Sequence, residues 1–268
     1  MFSNKAIAIR DAEIQDFIGS VGMNVGAIVN PTAFVKRHRQ WLQNNNFYIQ
    51  GLDKFEYGHV TAGCTEAFNE VYNEPCFVLG GEYTYHRDAG QAVQCPIDFI
   101  PSDSRLIISY PFAATGNPHM DWEGILEICR KKNIKIFVDA CLAGVSIGKL
   151  DLSHPAITHI AFSFSKAFYT GFFRCGVVYT NETQSPASTL NKHLYVNHPS
   201  LDLHMKLMAE FSSDYIANKY RLKQIDLCKE NNLEISDCVL FGLENGTRQC
   251  LSPVLGNRLP FPLHHSQQ

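Results

Sequence analysis

The feature of this 268-residue chain that most constrains its fold is an alternation of short apolar runs with helical patterns. Five runs are rich in β-branched or aromatic residues, and they lie at 76–80, 106–109, 135–139, 158–163 and 175–180. A helical pattern at 65–72 precedes the first run, and another at 120–131 separates the second run from the third. Strands that are apolar on both faces must be covered on both faces. The pattern therefore predicts an α/β fold with a mainly parallel sheet and helices on both sides.

The pattern changes towards the C-terminus, where residues 200–232 read as one long helix and residues 238–243 as a strand. Before the first apolar run, residues 32–44 read as a basic amphipathic helix that begins after the Asn30-Pro31 turn. We expect a small α+β domain after the large α/β domain. The predicted units are an N-terminal arm and helix over 1–50, a large domain over 51–190 and a small C-terminal domain over 191–268.

Composition excludes several classes of function. The chain has 23 basic and 26 acidic residues and a net charge of −3, so it has no general attraction for nucleic acid or an anionic membrane. Its nine cysteines form no CxxC pair and are odd in number, which favours free thiols in a reducing compartment. Residues 1–11 lack the apolar core of a signal peptide, and no run approaches 18 apolar residues. We expect a cytoplasmic protein without a membrane span.

Lys166 is the residue most suggestive of chemistry. It closely follows the apolar run 158–163, within Ser163-Phe164-Ser165-Lys166, in a stretch with few charges. Desolvation disfavours the ammonium form there and suits an amine that forms an imine with an aldehyde. Taken alone, a lysine after a strand is more often a surface residue with a buried stem. The interpretation therefore depends on the residues that accompany it.

Four other residues have types that could bind a ligand, and three of them, Tyr83, Asp139 and Arg174, lie near the ends of the same runs. Arg174 could bind a phosphate in a bidentate manner or form a surface ion pair. Asp139 ends the run 135–139, and it either caps the next turn or holds a pyridine nitrogen protonated. Thr65 opens a predicted helix, as a phosphate cradle or as a simple cap. Tyr83 could stack on a flat ring or pack as an ordinary aromatic residue.

In their order and spacing, these motifs resemble the fold-type I pyridoxal-phosphate enzymes, and class I and II aminotransferases in particular. The resemblance extends over roughly residues 55–182, about half of the chain. Five motifs carry it: Gly63-Cys64-Thr65-Glu66-Ala67 as the phosphate loop, Tyr83 as the stacking aromatic, Ser109-Tyr110-Pro111-Phe112-Ala113-Ala114-Thr115-Gly116 as the proline-threonine-glycine loop, Asp139-Ala140, and Ser163-Phe164-Ser165-Lys166 with Arg174.

The resemblance implies an aminotransferase-like large domain with a seven-stranded sheet, a homodimer, and pyridoxal 5′-phosphate bound to Lys166 as a Schiff base. Lys166 would also move the proton between substrate and cofactor, and Asp139 would be the partner of the ring nitrogen. The remaining cofactor-binding residues implied are Arg174, Ser163, Gly63, Cys64 through its backbone amide, Thr65 and Tyr83. Ser165 matches the same motif.

The sequence also departs from the family pattern. Two positions that commonly supply hydrogen-bond donors to the ring oxygen are Ala113 and Leu142 here. Tyr110 or Asn117 is a possible replacement. The chain is short for this family, whose C-terminal domain supplies an arginine for the substrate carboxylate. Arg248 is the candidate for that role, with a surface arginine as the alternative.

Three functions remain open at this point. The first is an aminotransferase that acts on an amino acid or amine, and the second is a decarboxylase or lyase of the same fold. Ser165 stands directly before the lysine, where a histidine would favour the decarboxylase, so the first is preferred. The third is a cofactor-free binding relative. A nucleotide-binding Rossmann enzyme is disfavoured because no GxGxxG follows a strand.

Overall fold

The structure is a computed structural model that describes residues 3–43 and 47–256. The strands in these ranges are β1 (Phe47–Gln50), β2 (Tyr57–Thr61), β3 (Cys76–Val78), β4 (Val93–Gln94), β5 (Arg105–Ser109), β6 (Lys135–Asp139), β7 (Gly148–Asp151), β8 (Ile157–Ser163), β9 (Gly176–Thr180), β10 (Glu234–Ile235), β11 (Phe241–Glu244) and β12 (Thr247–Cys250).

The helices fall between and around these strands. They are α1 (Ala12–Val21), α2 (Pro31–Trp41), α3 (Cys64–Ala67), α4 (Tyr85–Asp88), α5 (Trp122–Lys131), α6 (Phe164–Ala167), α7 (Pro186–Lys192), α8 (His198–Glu210), α9 (Tyr215–Glu230) and α10 (Ser252–Leu255). Short 3₁₀ turns lie at Leu52–Lys54, Phe68–Glu70, Ile97–Phe99 and Ala143–Val145.

A seven-stranded sheet forms the centre of the molecule, in the order β2-β9-β8-β6-β5-β3-β4. β9 runs antiparallel to both of its neighbours, and the other pairs are parallel. The predicted mainly parallel, seven-stranded α/β fold is therefore confirmed. β1 and β7 form a separate parallel pair, and β10, β11 and β12 form an antiparallel sheet.

Side chains from alternate positions of the central strands enter two different cores. Ile107 of β5, Phe137 of β6 and Ala161 of β8 belong to the smaller core, together with residues of α3 and α7. Their neighbours along each strand belong to the larger core, which also contains residues of α1, α2, α5, α8 and α9. Because successive strand residues point to opposite faces, this division shows that helices cover both faces of the sheet.

Parallel pairing aligns the carboxyl ends of the middle strands. Ser109 at the end of β5 is in register with Asp139 at the end of β6, and Asp139 is in register with Ala161 of β8. Residues that follow these strands therefore meet at one edge of the sheet, where open α/β sheets bind their ligands.

Asn30 caps α2, as the sequence indicates, by accepting a hydrogen bond from the amide of Ala33. The predicted basic helix thus begins at Pro31 and ends at Trp41, and residue 44 lies outside the described residues. Its two arginines bond within the chain, since Arg37 donates to the Met208 carbonyl and Arg39 to those of Leu52 and Phe55.

The prediction of a single helix over 200–232 is wrong, because α8 ends at Glu210 and α9 begins at Tyr215. Phe211 adopts an extended conformation, and its carbonyl accepts a hydrogen bond of 2.7 Å from Trp41 Nε1. The Ser212 hydroxyl donates to the Asp214 carboxylate at 2.7 Å. Such local bonds from serine and aspartate compete with helical ones, which explains the break.

Two further predicted elements are shorter than expected. The helical pattern at 65–72 yields only one α-turn in α3 and a 3₁₀ turn. The predicted strand at 238–243 becomes β11, which begins at Phe241. Before it, the amides of Cys238 and Val239 donate to the carbonyls of Gly116 and Val145 instead of forming a sheet ladder. The proposed domain boundaries at 50/51 and 190/191 stay a prediction.

No helix in the described residues is long and apolar enough to cross a bilayer.

Gln224 of α9 joins this helix to the C-terminal sheet. The side chain is fully buried, and its Nε2 lies within 3.0 Å of the carbonyl oxygens of Ser236, Cys238 and Phe241. We expect Gln224→Met, which keeps the volume but removes the donor, to lower the free energy of unfolding by about 2 to 4 kcal/mol. Urea denaturation measures this difference. Leu222→Gln, at an exposed position of the same helix, is the control, and an equally small loss in both variants would contradict the prediction.

Candidate active site

A cavity of about 530 Å³ opens at the carboxyl ends of β5, β6 and β8, a volume typical of a small-molecule site. It brings together most of the site residues predicted from the sequence. Those on its wall are Lys166, Asp139, Arg174, Ser163, Cys64, Thr65, Tyr83 and Arg248, with Ser165 among them. Gly63 precedes Cys64, and a Cβ on it would meet the side chains of Arg174 and Ser163.

One end of the cavity is formed by hydroxyl groups and a guanidinium. Arg174 Nη2 donates to Thr65 Oγ1 at 2.8 Å, and Arg174 Nε donates to the Ala62 carbonyl at 3.1 Å. Ser163 caps α6 by accepting a bond from the Ser165 amide, and the two serine hydroxyls lie 3.0 Å apart. We call Thr65, Ser163, Ser165 and Arg174 the hydroxyl–arginine end. Its donors match those that bind a phosphate.

Gly63 is necessary for the packing of this end. It has a φ of +77°, which favours glycine, and a Cβ there would lie 3.0 Å from Arg174 Nη2 and 3.2 Å from Ser163 Oγ. A larger residue would therefore displace the guanidinium and fill the space between the donors.

Asp139 lies in the middle of the cavity wall and is 2% exposed. It accepts a hydrogen bond of 3.0 Å from the Cys141 amide, and among the described residues it forms no ion pair. Burial raises the pKa of this carboxyl, because water no longer solvates the charged form. A ligand with a cationic N–H would relieve that cost.

The thiols beside Asp139 are poor nucleophiles. Burial, with a further contribution from the Asp139 charge, raises the pKa of Cys64 and Cys141 well above the usual value for a thiol. Since the thiolate is the reactive form, neither thiol is suited to covalent catalysis. The primary amines of Lys166 and Lys5, which both line the cavity, are better nucleophiles for an aldehyde.

Lys166 is half-buried in α6, and its Nζ donates a hydrogen bond to the carbonyl of Ala6. Ala6 lines the cavity together with Asn4 and Lys5. The N-terminal segment therefore forms a hydrogen bond with the same amine that would react with a ligand aldehyde.

Tyr83 and Arg248 lie on the wall in different settings. The Tyr83 ring is 48% exposed and stacks on Tyr85 with 5.9 Å between ring centroids, so it remains accessible to a ligand. Arg248 Nε donates to the Asn4 carbonyl at 2.7 Å, its Nη1 bonds the Ala113 carbonyl, and its guanidinium lies over the Phe241 ring. Two of its nitrogens are therefore engaged by the backbone, and its carboxylate-binding role stays a prediction.

The two suggested replacements for the ring-oxygen donors lie elsewhere. The Tyr110 hydroxyl donates to the Lys149 carbonyl at 2.6 Å, and the Asn117 side-chain oxygen accepts from the Asp237 amide at 2.7 Å. Neither residue lines the cavity, so that expectation is corrected. Ala113 and Leu142 do line it, as apolar surfaces.

Sequence reasoning missed Glu82, a second buried carboxyl in this cavity. Glu82 accepts hydrogen bonds from the amide of Ser109 at 2.7 Å and from its hydroxyl at 2.6 Å. Burial raises the pKa of Glu82 to about 7. The available signal was an acidic residue in Gly80-Gly81-Glu82, directly after an apolar run, which is the same signal that identified Asp139.

The comparisons with known proteins agree with this geometry. Residues 91–213, somewhat less than half of the chain, match the family described as aminotransferase class I and II. This segment includes Asp139, Ser163, Lys166 and Arg174. The resemblance to this family is confirmed. No curated protein sequence matches the chain.

Solved structures share the fold at low sequence identity. An alanine aminotransferase from Pyrococcus furiosus superposes with a TM-score of 0.60 at 16% identity, over 86% of this chain and 70% of that one. An L-threonine-O-3-phosphate decarboxylase from Porphyromonas gingivalis gives 0.61 at 13% identity, over 90% and 80%. A PLP-bound C-S lyase from Staphylococcus hominis gives 0.59 at 11% identity, over 85% and 68%. The shared fold therefore hosts several reactions.

The residues present fit pyridoxal phosphate. The hydroxyl–arginine end suits the phosphate, and the cradle at Gly63 is open because a Cβ would fill it. Asp139 is a buried carboxyl with no ion-pair partner in ranges 3–43 and 47–256, which suits a protonated ring nitrogen. Lys166 presents a primary amine to the same cavity, which suits an aldehyde.

The buried Glu82 carboxyl leads to a prediction about pH and stability. Its pKa is about 7 in the fold and 4.5 in an unperturbed glutamate, so the folded state binds the proton more tightly and stability falls as pH rises from about 4.5 to about 7. Glu82→Gln does not titrate. Its stability relative to the unsubstituted protein should therefore rise by about 3 kcal/mol between pH 4.5 and pH 8.

Urea denaturation of the cofactor-free protein across this pH range measures the effect. Glu230→Gln, at an exposed position, serves as the control and should leave the pH dependence unchanged. A pH profile of Glu82→Gln parallel to that of the unsubstituted protein would show that Glu82 ionises normally.

Proposed function

We propose that this protein binds pyridoxal 5′-phosphate through Lys166 and acts as an aminotransferase on an amino acid or amine. The observation that carries the proposal is the presence of a primary amine, an unpaired buried carboxyl and the hydroxyl–arginine end in one cavity. These three groups match the aldehyde, the ring nitrogen and the phosphate of a single ligand.

Each residue has a role that follows from its chemistry. Lys166 would hold the cofactor aldehyde through its amine, with release of one water molecule, and once the substrate amine had displaced it, the freed amine would move the proton at the substrate carbon. Asp139 would keep the ring nitrogen protonated. When bound, pyridoxal phosphate withdraws electrons from the bonds at the substrate α-carbon. Arg174, Thr65 and Ser163 would bind the phosphate, and the Tyr83 ring would pack against the cofactor ring.

The N-terminal segment bears on how ligands enter. The carbonyl of Ala6 accepts the Lys166 amine hydrogen, and the carbonyl of Asn4 accepts from Arg248. Condensation with an aldehyde requires Lys166 to leave Ala6. A substrate carboxylate at Arg248 would use Nη2, which bonds no described residue, or would displace the Asn4 carbonyl.

Transamination is favoured over the other reactions of this fold by the family match, which is to aminotransferases, and by Ser165 before the lysine. The second candidate is decarboxylation or elimination, because a decarboxylase and a lyase share the fold. A cofactor-free relative is the third. We also propose a homodimer, in keeping with the resemblance to this family.

The central prediction concerns Lys166. Purified protein given pyridoxal phosphate and then freed of excess cofactor should keep the absorbance of the bound cofactor, and borohydride should fix the cofactor covalently to the peptide that contains Lys166. Lys166→Ala should lose the covalent attachment. Mass spectrometry of the digest reads it out.

Lys5→Ala is the matched control, because Lys5 is another lysine on the cavity wall, and it should label as the unsubstituted protein does. A protein that takes up no cofactor, or that is labelled at Lys5 instead, would overturn the proposal.

The reaction itself is tested by assaying a panel of amino acids for keto-acid formation and for carbon dioxide release. Keto acid without carbon dioxide supports transamination, whereas carbon dioxide release supports the second candidate.

A second prediction concerns the phosphate. Arg174→Gln keeps hydrogen-bonding capacity towards Thr65 but removes the charge, so pyridoxal phosphate should bind about 10- to 100-fold more weakly. Binding of pyridoxal, which has no phosphate, should change by less than about threefold. Fluorescence titration with both ligands measures the two affinities. Arg130→Gln, at an exposed position on α5, is the control. Equal losses for both ligands would contradict a phosphate contact.

A further inference from the structure

Glu82 and Ser109 form a buried polar pair that the proposed roles leave unused. Glu82 is 8% exposed and Ser109 is 2% exposed, and both line the cavity. Two hydrogen bonds, of 2.7 Å and 2.6 Å, join the carboxyl of Glu82 to the amide and hydroxyl of Ser109. Among the described residues, no lysine, arginine or histidine forms an ion pair with Glu82.

The pair lies on a defined side of the cavity. At the hydroxyl–arginine end, Thr65 follows β2, Ser163 ends β8 and Arg174 precedes β9. Asp139 ends β6, which is the next strand in the sheet order. Ser109 ends β5, and Glu82 follows β3, so both lie beyond Asp139 on the side away from Arg174. Ser109 and Asp139 are in register on adjacent parallel strands, so their side chains leave the same face of the sheet.

The covalent structure of pyridoxal phosphate then fixes which group points to this side. This step rests on the proposed function. In the pyridine ring, the nitrogen lies opposite the carbon that bears the aldehyde, and the phosphate arm and the ring oxygen are on the two carbons beside that aldehyde-bearing carbon. With the nitrogen at Asp139 and the phosphate at Arg174, the ring oxygen points away from Arg174, towards Ser109 and Glu82.

The positions expected to supply a donor to the ring oxygen offer none here. Ala113 and Leu142 are apolar, and Tyr110 and Asn117 bond elsewhere. Gly81, next to Glu82, packs on the same loop as Ala113, because a Cβ there would lie 3.0 Å from Ala114 Cβ and 3.3 Å from the Phe112 ring. Glu82 is therefore held beside the loop that carries Ala113.

The number of hydrogens on the pair decides what it can donate. When Glu82 is ionised, the Ser109 hydroxyl hydrogen and the Ser109 amide hydrogen both point to the carboxylate, and the cavity meets only acceptors. When Glu82 is protonated, the pair has one more hydrogen. Either the carboxyl or the serine hydroxyl can then donate it into the cavity.

We propose that the protonated Glu82–Ser109 pair donates the hydrogen bond to the ring oxygen of the bound cofactor. A donor stabilises negative charge on that oxygen and thus sets the pH at which the bound cofactor changes its protonation state.

The electrostatics of the pair are consistent with this role. Burial raises the pKa of Glu82 to about 7, and the nearby Asp139 charge acts in the same direction. A proton is therefore available on Glu82 near neutral pH. The charge of Glu82 acts to raise the pKa of the Arg248 guanidinium. The amides of Ser109 and Tyr83 stabilise the ionised form of Glu82.

The test is a pH titration of the absorbance of the cofactor-bound protein. Glu82→Gln has an amide that donates at every pH and cannot ionise, so the midpoint of the spectral transition should move by at least one pH unit. Ser109→Ala removes the hydroxyl and should move it as well. Glu70→Gln is the matched control, because Glu70 is also buried with a raised pKa but lies outside the cavity.

Cofactor affinity provides a second readout. Glu82→Leu, which removes both donor and acceptor, should bind pyridoxal phosphate about tenfold more weakly than Glu82→Gln. If Glu82→Gln does not fold, Ser109→Ala tests the same hydrogen bond with a smaller change.

The outcomes separate this inference from the proposed function. If the unsubstituted protein binds no cofactor at Lys166, the proposed function fails and this inference fails with it. If the cofactor binds at Lys166 and both cavity variants titrate like Glu70→Gln, the inference alone is wrong. A change of stability without a spectral shift would also overturn it, because a purely structural clamp behaves in that way.

Discussion

The parallel register of β5, β6 and β8 is the constraint on which the rest of this structure depends. It brings Ser109 and Asp139 to the same level, and Ser163 ends the next strand. The strands themselves are mostly apolar and buried, so their register is held by packing on both faces rather than by the polar residues at their ends. A slip of one residue would turn Asp139 to the opposite face and dismantle the site.

Burial at this edge of the sheet has a consequence for the chemistry. Two carboxyls, Asp139 and Glu82, lie in one cavity without an ion-pair partner among the described residues, and burial raises the pKa of both. Burying two carboxyls in this way costs stability because desolvated carboxyls resist ionisation. A ligand that brings a cationic nitrogen and an oxygen able to accept a hydrogen bond offsets both costs. Strongly perturbed groups of this kind are typical of functional sites.

The segment Asn4–Ala6 forms hydrogen bonds with two side chains that the proposed function uses. Its carbonyls satisfy Lys166 and Arg248, which would otherwise be cations facing a cavity. The same contacts must break, at least at Lys166, when an aldehyde condenses with the amine. The cofactor and this segment therefore compete for the Lys166 amine. Cofactor attachment requires that the bond to the aldehyde be more favourable than the hydrogen bond to Ala6.

The pattern of apolar residues in the sequence determined the central strands and the coverage of both faces of the sheet. Position next to the ends of those strands identified Asp139, Lys166 and Arg174. These signals are local, because apolar patterning records which faces a segment buries. The insertion of antiparallel β9 between β2 and β8, and the break between α8 and α9 at Phe211–Asp214, were decided by tertiary structure. So were the engagement of Arg248 by backbone carbonyls and the Glu82–Ser109 pair. Each depends on partners far apart in the chain, so only the packed structure specifies which side chains meet.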